Sequence, residues 1–267
     1  MRIAVCTKND LFGAIVLNAL MPRLADHEVG VFLSVRDRGA EDTLPELDLL
    51  RLVERDLPVR VLFPLAESRG AHPLAGEGAM ATPHQLAAAA GRPATVVTDM
   101  RPEGGTALLE AFAPDMVLSI RFSFLFRAQT IAAVPRGILN VHPGPLPGYR
   151  GLFAPFWQML QGKPVLQCTV HLVDAGMDTG PVLALEEVPV IPDRSLFWHW
   201  VQLYLAGTAR VAGYVADGVP LARPQGPGGA ACGLPSAADF ARFRAAGFSV
   251  LTGRDYIDLL SPFAAGQ

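Results

Sequence analysis

The stretch LNVHPGPLPGYRG, Leu139 to Gly151, sets an amide and an imidazole two residues apart, at Asn140 and His142. A run dense in proline and glycine follows. The apolar lead-in, Gly137–Val141, predicts a buried strand that ends at the polar pair. The loop behind it has little conformational freedom left to lose, so any chemistry at this corner is preorganised.

Outward from this corner the chain reads as alternating strands and helices. Strands are predicted at Arg2–Cys6, Glu28–Ser34, Val59–Phe63, Thr95–Thr98 and Asp115–Ile120, with helices at Phe12–Leu24, Leu44–Arg55 and Thr106–Phe112. This alternation argues for βαβ units and a parallel sheet. Glu67–Ala81 reads as a surface loop, and Thr82-Pro83 as a cap followed by proline at the first helical position. Beyond the corner, a helix is expected at Phe153–Gln161, strands at Val165–Val173 and Val182–Val190, and a long amphipathic helix from its cap Ser195 to about Asp217. A Gly/Pro-rich linker, RPQGPGGAACG, leads to short helical pieces at Ser236–Ala246 and Arg254–Leu260. Two regions result: 1–192 as the catalytic domain and 193–267 as a mainly helical C-terminal extension.

Composition narrows the class. The chain has 267 residues, 51% of them hydrophobic, only 18% charged, and a net charge of −3. No apolar run reaches the eighteen residues of a membrane span. The start, MRIAVCTKND, reads as a first strand rather than a signal peptide. Without a dense Lys/Arg block, nucleic acid is not an expected partner. Cys6, Cys168 and Cys232 are far apart and form no metal-ligand cluster, so reduced thiols and no metal are expected. A cytoplasmic enzyme acting on a small molecule is the expectation, with a homodimer left open.

Three features fall where strands end, which is where ligands bind in an open α/β sheet. They are Asn140-x-His142, the segment Asp174-Ala-Gly-Met-Asp178-Thr-Gly, and the aromatic run RFSFLFR at Arg121–Arg127. An amide can donate to a developing oxyanion. An imidazole can donate to it or accept an amine's proton, and a carboxylate can support the imidazole or relay protons through water. No Gly-x-Ser-x-Gly is present and no cysteine adjoins the corner. Direct transfer between two bound small molecules follows. Asn9 and Asp10 read either as helix caps or as contacts to the acceptor. Arg150 reads either as a substrate contact or as a tie from the proline loop to backbone carbonyls. His27, His72, His84, His171 and His199 read as surface or core groups.

The two motifs together resemble the formyltransferases that use 10-formyltetrahydrofolate, whose pattern is Asn-x-His-x-x-x-x-Pro-x-Tyr/Phe-Arg-Gly followed by Asp-x-Gly-x-Asp-Thr-Gly. Asn140, His142, Pro147, Tyr149, Arg150 and Gly151 match the first, and Asp174, Gly176, Asp178, Thr179 and Gly180 the second. The resemblance is tight over about Asp115–Val190. It implies a Rossmann-like, mostly parallel twisted sheet flanked by helices. It also implies Asn140 holding the formyl oxygen, His142 serving as oxyanion donor or base, and Asp178 positioning His142 and a proton-relaying water. The folate would lie against Phe122, Phe124, Leu125, Gly137, Val173, Asp174 and Met177, and the amine acceptor against Asn9, Asp10, Tyr149 and Arg150.

Within that family, 193–267 reads as helical and without basic density, which counts against the β-rich C-terminal domain of the methionyl-tRNA enzymes. CTKNDLFGA after the first strand is not the glycine-rich phosphate loop of the glycinamide ribonucleotide enzymes. LSIRFSFLF and LPSAADFARFRAAGF resemble segments of the nucleotide-linked amino-sugar N-formyltransferases. An amino sugar is therefore the expected acceptor. Hydroxyornithine or another amino-acid-like amine, a 10-formyltetrahydrofolate hydrolase, and a non-catalytic folate-binding module are the alternatives.

Overall fold

The computed structural model describes residues 1–36, 44–68, 80–229 and 231–264. In chain order the elements are β1 (Arg2–Lys8), α1 (Leu11–Leu20), β2 (Glu28–Ser34), α2 (Pro45–Arg51), α3 (Phe63–Ser68), α4 (Pro83–Ala89), β3 (Thr95–Val97), α5 (Ala107–Phe112), β4 (Met116–Ile120), α6 (Ala128–Ala133), β5 (Ile138–His142), α7 (Ala154–Leu160), β6 (Val165–Leu172), β7 (Val182–Pro189), α8 (Leu196–Asp217), α9 (Ala237–Ala245) and α10 (Gly253–Ala264). One seven-stranded sheet runs in the order β3-β2-β1-β4-β5-β6-β7. β1 to β5 pair in parallel, and β6 and β7 join antiparallel. The expected mostly parallel α/β architecture is what the chain forms.

Strand alternation sorts side chains onto two faces. Ile3, Val5, Met116, Leu118, Leu139 and Val141 enter one core with α1 and α8, while Ala4, Cys6, Val117 and Ile138 enter the other with residues of α5. Asn140 and His142 share the face of Ile138. Their one-residue spacing therefore puts both polar groups on one side of the sheet, at the carboxyl end of β5.

Local signals set the helix ends. The Asp10 carboxylate caps α1 by accepting from the Gly13 N–H at 2.8 Å. α1 gives way at Pro22 to a tight turn, Met21–Leu24, which shortens the expected Phe12–Leu24 helix. Thr82 and Gln85 cap α4 reciprocally, and Ser195 caps α8. α8 shares the α1 core through Phe197, Trp200, Val201 and Leu203. Phe240 and Phe243 of α9 pack on Phe156 of α7, with ring centroids 5.1 and 4.6 Å away. The expected boundary at 192/193 thus falls just ahead of a helix whose buried face lies in the main core. No described helix is long and apolar enough to cross a membrane.

The strand expected at Val59–Phe63 is instead helical, in wide turns over Leu52–Asp56 and Pro58–Leu62 that lead into α3. The buried residues of this run, Val53, Pro58 and Phe63, recur every five positions, and Val61 is exposed. Burial on one side of a helix overrides the strand preference of a five-residue window, which is too short for alternation to decide. The expected loop Glu67–Ala81 lies largely outside the described residues.

Two features lead to predictions. A Cβ on Gly207 of α8 would sit 2.3 Å from Val141 Cγ1, so glycine lets the helix approach β5 directly behind Asn140 and His142. Gly207→Ala gains helix propensity of about 1 kcal/mol. Overpacking against a stiff β-branched side chain outweighs that gain. A net loss of about 1–2 kcal/mol is expected in urea unfolding.

His199 is fully buried; its Nδ1–H donates to Ser195 O at 2.8 Å and its Nε2 accepts from the Ile191 N–H at 2.9 Å. A second proton would bring two donors together, and burial holds this imidazole below its ordinary pKa. As pH falls below about 6.5, the unfolded chain therefore takes up the proton first. Stability is full above that pH and declines below it, by up to about 1.4 kcal/mol per pH unit. Urea midpoints at pH 7.5 and 5.5 should differ in this direction, and His199→Ala should narrow the gap while lowering both.

Candidate active site

The antiparallel register of β5 and β6 places Asn140 opposite His171 and His142 opposite Thr169. Asn140 Nδ2 lies 3.0 Å from His171 Nε2. His171 Nδ1 lies 2.8 Å from Leu172 O, which can only accept, so Nδ1 carries the proton and Nε2 receives the Asn140 amide. Burial pushes the His171 pKa down, in keeping with this neutral form. The bond fixes which way the Asn140 amide points and leaves its second N–H available.

His142 donates from Nε2 to Tyr149 O at 2.6 Å and faces Asp178 Oδ2 with Nδ1 at 3.5 Å. Asp178 Oδ1 is 3.9 Å from His171 Nε2. The Gly151 N–H donates to Asp178 Oδ2 at 3.1 Å. Asn140, His142 and Asp178 therefore meet, with His171, whose sequence context reads only as a surface or core group, as a fourth member. Its signal was the antiparallel pairing of β5 with β6, which a pattern-based reading of single strands does not supply.

Two loops carry the site. Residues 143–151, with a cis Leu146–Pro147 bond, are held where Leu146 N–H donates to Thr169 Oγ1 and Thr169 Oγ1 donates to Gly144 O. In residues 174–180, Asp174 Oδ1 accepts from the Gly176 N–H and the Thr179 hydroxyl. Gly180 passes so close to the backbone that a Cβ would lie 1.8 Å from Leu172 O. Two residues earlier, Asp178 sits at φ +55°.

A cavity of about 530 Å³ opens over these groups. Of the residues expected to hold the folate, Phe122, Phe124, Leu125, Val173, Asp174 and Met177 line it. Leu125 and Met177 are 62% and 48% exposed, apolar surface that a flat ring can cover. Gly137 precedes β5, at the opposite end of the strand from His142, and is not among the lining residues.

The expected acceptor contacts are placed differently. Asn9, Asp10, Tyr149 and Arg150 are all outside the lining set. Asp10 is fully buried, capping α1 and accepting from Arg121 Nε at 3.2 Å. Tyr149 contributes its carbonyl to His142. Arg150 ties the proline loop to the Asp178 carbonyl at 3.2 Å and to Gln225 at 2.8 Å. The cavity's charged wall comes instead from Lys8, Arg51, Glu54, Arg55 and Arg121. Arg121, at φ +66°, pairs with Glu54 and lies over the Phe12 ring at 4.9 Å. Cys232 and Leu234 complete the wall from the tail.

The chemistry available is that of an oriented amide, a proton-handling ring and a carboxylate. Burial raises the thiol pKa of Cys6, Cys168 (to about 12) and Cys232, so a thiolate is disfavoured at each. Among the described residues, no group of three or more His, Cys, Asp or Glu is placed to hold a metal ion.

Comparison with known proteins agrees with this picture. The model of the formyl transferase family matches residues 49–197, more than half the chain. A methionyl-tRNA formyltransferase of Roseiflexus sp. (strain RS-1) is 35% identical over 119 residues, which are 44% of this chain and 37% of that protein. The chain thus spans well under half the length of the first curated relatives it matches. Among solved structures, a sugar N-formyltransferase from a Shewanella species superposes with a TM-score of 0.56 at 17% identity, covering 98% of this chain and 87% of that one. Glycinamide ribonucleotide transformylase 1 from Symbiobacterium toebii superposes with a TM-score of 0.55 at 22% identity, covering 85% and 94%. The fold is shared with both structures, and the family model spans the strands and loops that carry Asn140, His142, His171 and Asp178: the chain belongs to the formyl transferase family.

Proposed function

We propose that this chain transfers a formyl group from 10-formyltetrahydrofolate to the amine of a small metabolite, with a nucleotide-linked amino sugar as acceptor. The observation that carries the reading is the group Asn140–His171 and His142–Asp178 at the floor of one cavity. The exposed apolar side chains Leu125 and Met177, with Phe122, Phe124 and Val173, fit a flat pterin ring. The folate supplies a formyl carbonyl on its N10.

Within that site each residue has a defined task. Asn140 aims its second amide N–H at the formyl oxygen, which gains charge as the amine adds to the formyl carbon. His142 accepts the proton that the amine loses, at Nδ1, where Asp178 Oδ2 lies 3.5 Å away. The new C–N bond forms as the bond from carbon to N10 breaks, and the proton passes to N10. His171 holds the Asn140 amide in its donating orientation. Lys8, Arg51, Arg55 and Arg121 line the cavity, where their side chains could meet anionic groups of an acceptor such as a diphosphate; each is paired here with a carboxylate of Asp10, Asp48, Glu54 or Asp56.

The test is mass spectrometry of reactions with 10-formyltetrahydrofolate and a panel of amines: nucleotide-linked amino sugars, hydroxyornithine, ornithine, glycinamide ribonucleotide and methionyl-tRNA. A formylated amino sugar is the expected product. Another formylated member would replace the acceptor class, formate alone would mean a hydrolase, and folate binding without either product would mean a binding module. On the panel member that reacts, Asn140→Ala and His142→Ala should each lower kcat by about a hundredfold or more. His171→Ala should lower it by about tenfold while leaving KM for the folate near the wild-type value.

A further inference from the structure

The linker after α8 is a strap across both catalytic loops. Arg223 pairs with Val182 through two backbone bonds of 2.8 Å. Further on, the Leu152 N–H donates to Cys232 O at 2.9 Å and the Cys232 N–H to Arg150 O at 2.6 Å. Trp157 Nε1 donates to Gly233 O at 3.0 Å. Between these anchors the Gln225 side chain reaches inward. Gln225 Nε2 donates to Asp178 O at 2.9 Å and to Gly180 O at 2.7 Å, while Gln225 Oε1 accepts from Arg150 Nη2 at 2.8 Å.

Asp178 needs such a hold. At φ +55° it occupies a backbone region that non-glycine residues adopt at a cost, which surrounding contacts must offset. Asp174 braces the loop from within, but its bonds end at Gly176 and Thr179. The carbonyls of Asp178 and Gly180 are held from outside, by Gln225 and, for Asp178, by Arg150 as well. Arg150 belongs to the loop whose Tyr149 carbonyl receives His142. The Gln225 amide thus adds a third tie, beside the Arg150 and Gly151 bonds to Asp178, between the backbone that aims the Asp178 carboxylate and the loop that aims the imidazole.

We propose that Gln225 is a positioning residue, fixing the Asp178 carboxylate against His142 Nδ1 through the carbonyls of residues 178 and 180. It does not line the cavity and touches no reacting atom. The assignment rests on the formyl-transfer reading for its kinetic consequence but not for its structural one.

The experiment pairs Gln225→Met, which keeps the side-chain length and removes every hydrogen bond, with Gln225→Ala. Wild type and variants are compared in turnover and in NMR amide exchange at Gly151, whose N–H is held by Asp178 Oδ2. Both variants should lower kcat about tenfold or more with KM for the folate within about twofold. On an Asp178→Asn background the further loss in kcat should be under about twofold, because both changes remove one function. Gly151 exchange should quicken about tenfold in Gln225→Met. Unchanged kcat, an undiminished loss on the Asp178→Asn background, or unchanged Gly151 exchange would each overturn the proposal. If wild type formylates no amine, the proposed function falls, and Gly151 exchange alone then decides the role of Gln225.

Discussion

The site depends on the register between β5 and β6. Side chains in a strand alternate faces, so a slip of one residue would send Asn140 and His142 into the α8 core and bring Leu139 and Val141 out. The register is defended on both faces. Leu139 and Val141 are buried with Leu166, Cys168 and Val170 on one side, and on the other Asn140 bonds to His171. Gly207 lets α8 close down on Val141 at that point. Apolar packing thus locks the pairing, and the polar face inherits a fixed geometry at no separate cost.

That division explains what was legible in the sequence. Met116–Ile120 and residues 138–141 are mostly apolar and, Asn140 aside, buried, so their pattern announces strands. Asn140, His142 and Asp178 stand out because two dense motifs carry them. The run 59–63 misled because its alternation is an accident of five residues; Val53, Pro58 and Phe63 show the period that burial imposes.

His171 and Gln225 were illegible for a different reason. Each acts only through a partner that the fold supplies. His171 needs the antiparallel β5–β6 pairing to meet Asn140, and Gln225 needs the strap to cross residues 178–180. A glutamine in RPQGPGG carries no local sign of its contacts. Asp10 and Arg150 were visible but ambiguous, and both turned out to work one step behind the cavity wall. Residues selected for holding others share no motif, because many local sequences can present a donor at the required point.

The two histidines then divide their work by what each ring nitrogen meets. His171 is buried, donates Nδ1–H to its own strand, and has only a bare Nε2 to offer, so burial fixes it as a neutral acceptor. A protonated His171 would turn a donor toward the Asn140 amide and release it. His142 donates Nε2–H to the proline loop and leaves Nδ1 facing a carboxylate, the arrangement in which a ring can pass a proton. In the proposed reaction one imidazole sets direction and the other moves charge. Asp178 stands within 4 Å of both, so the placement of its carboxylate, held through a strained backbone and the Gln225 amide, is where the two roles are kept distinct.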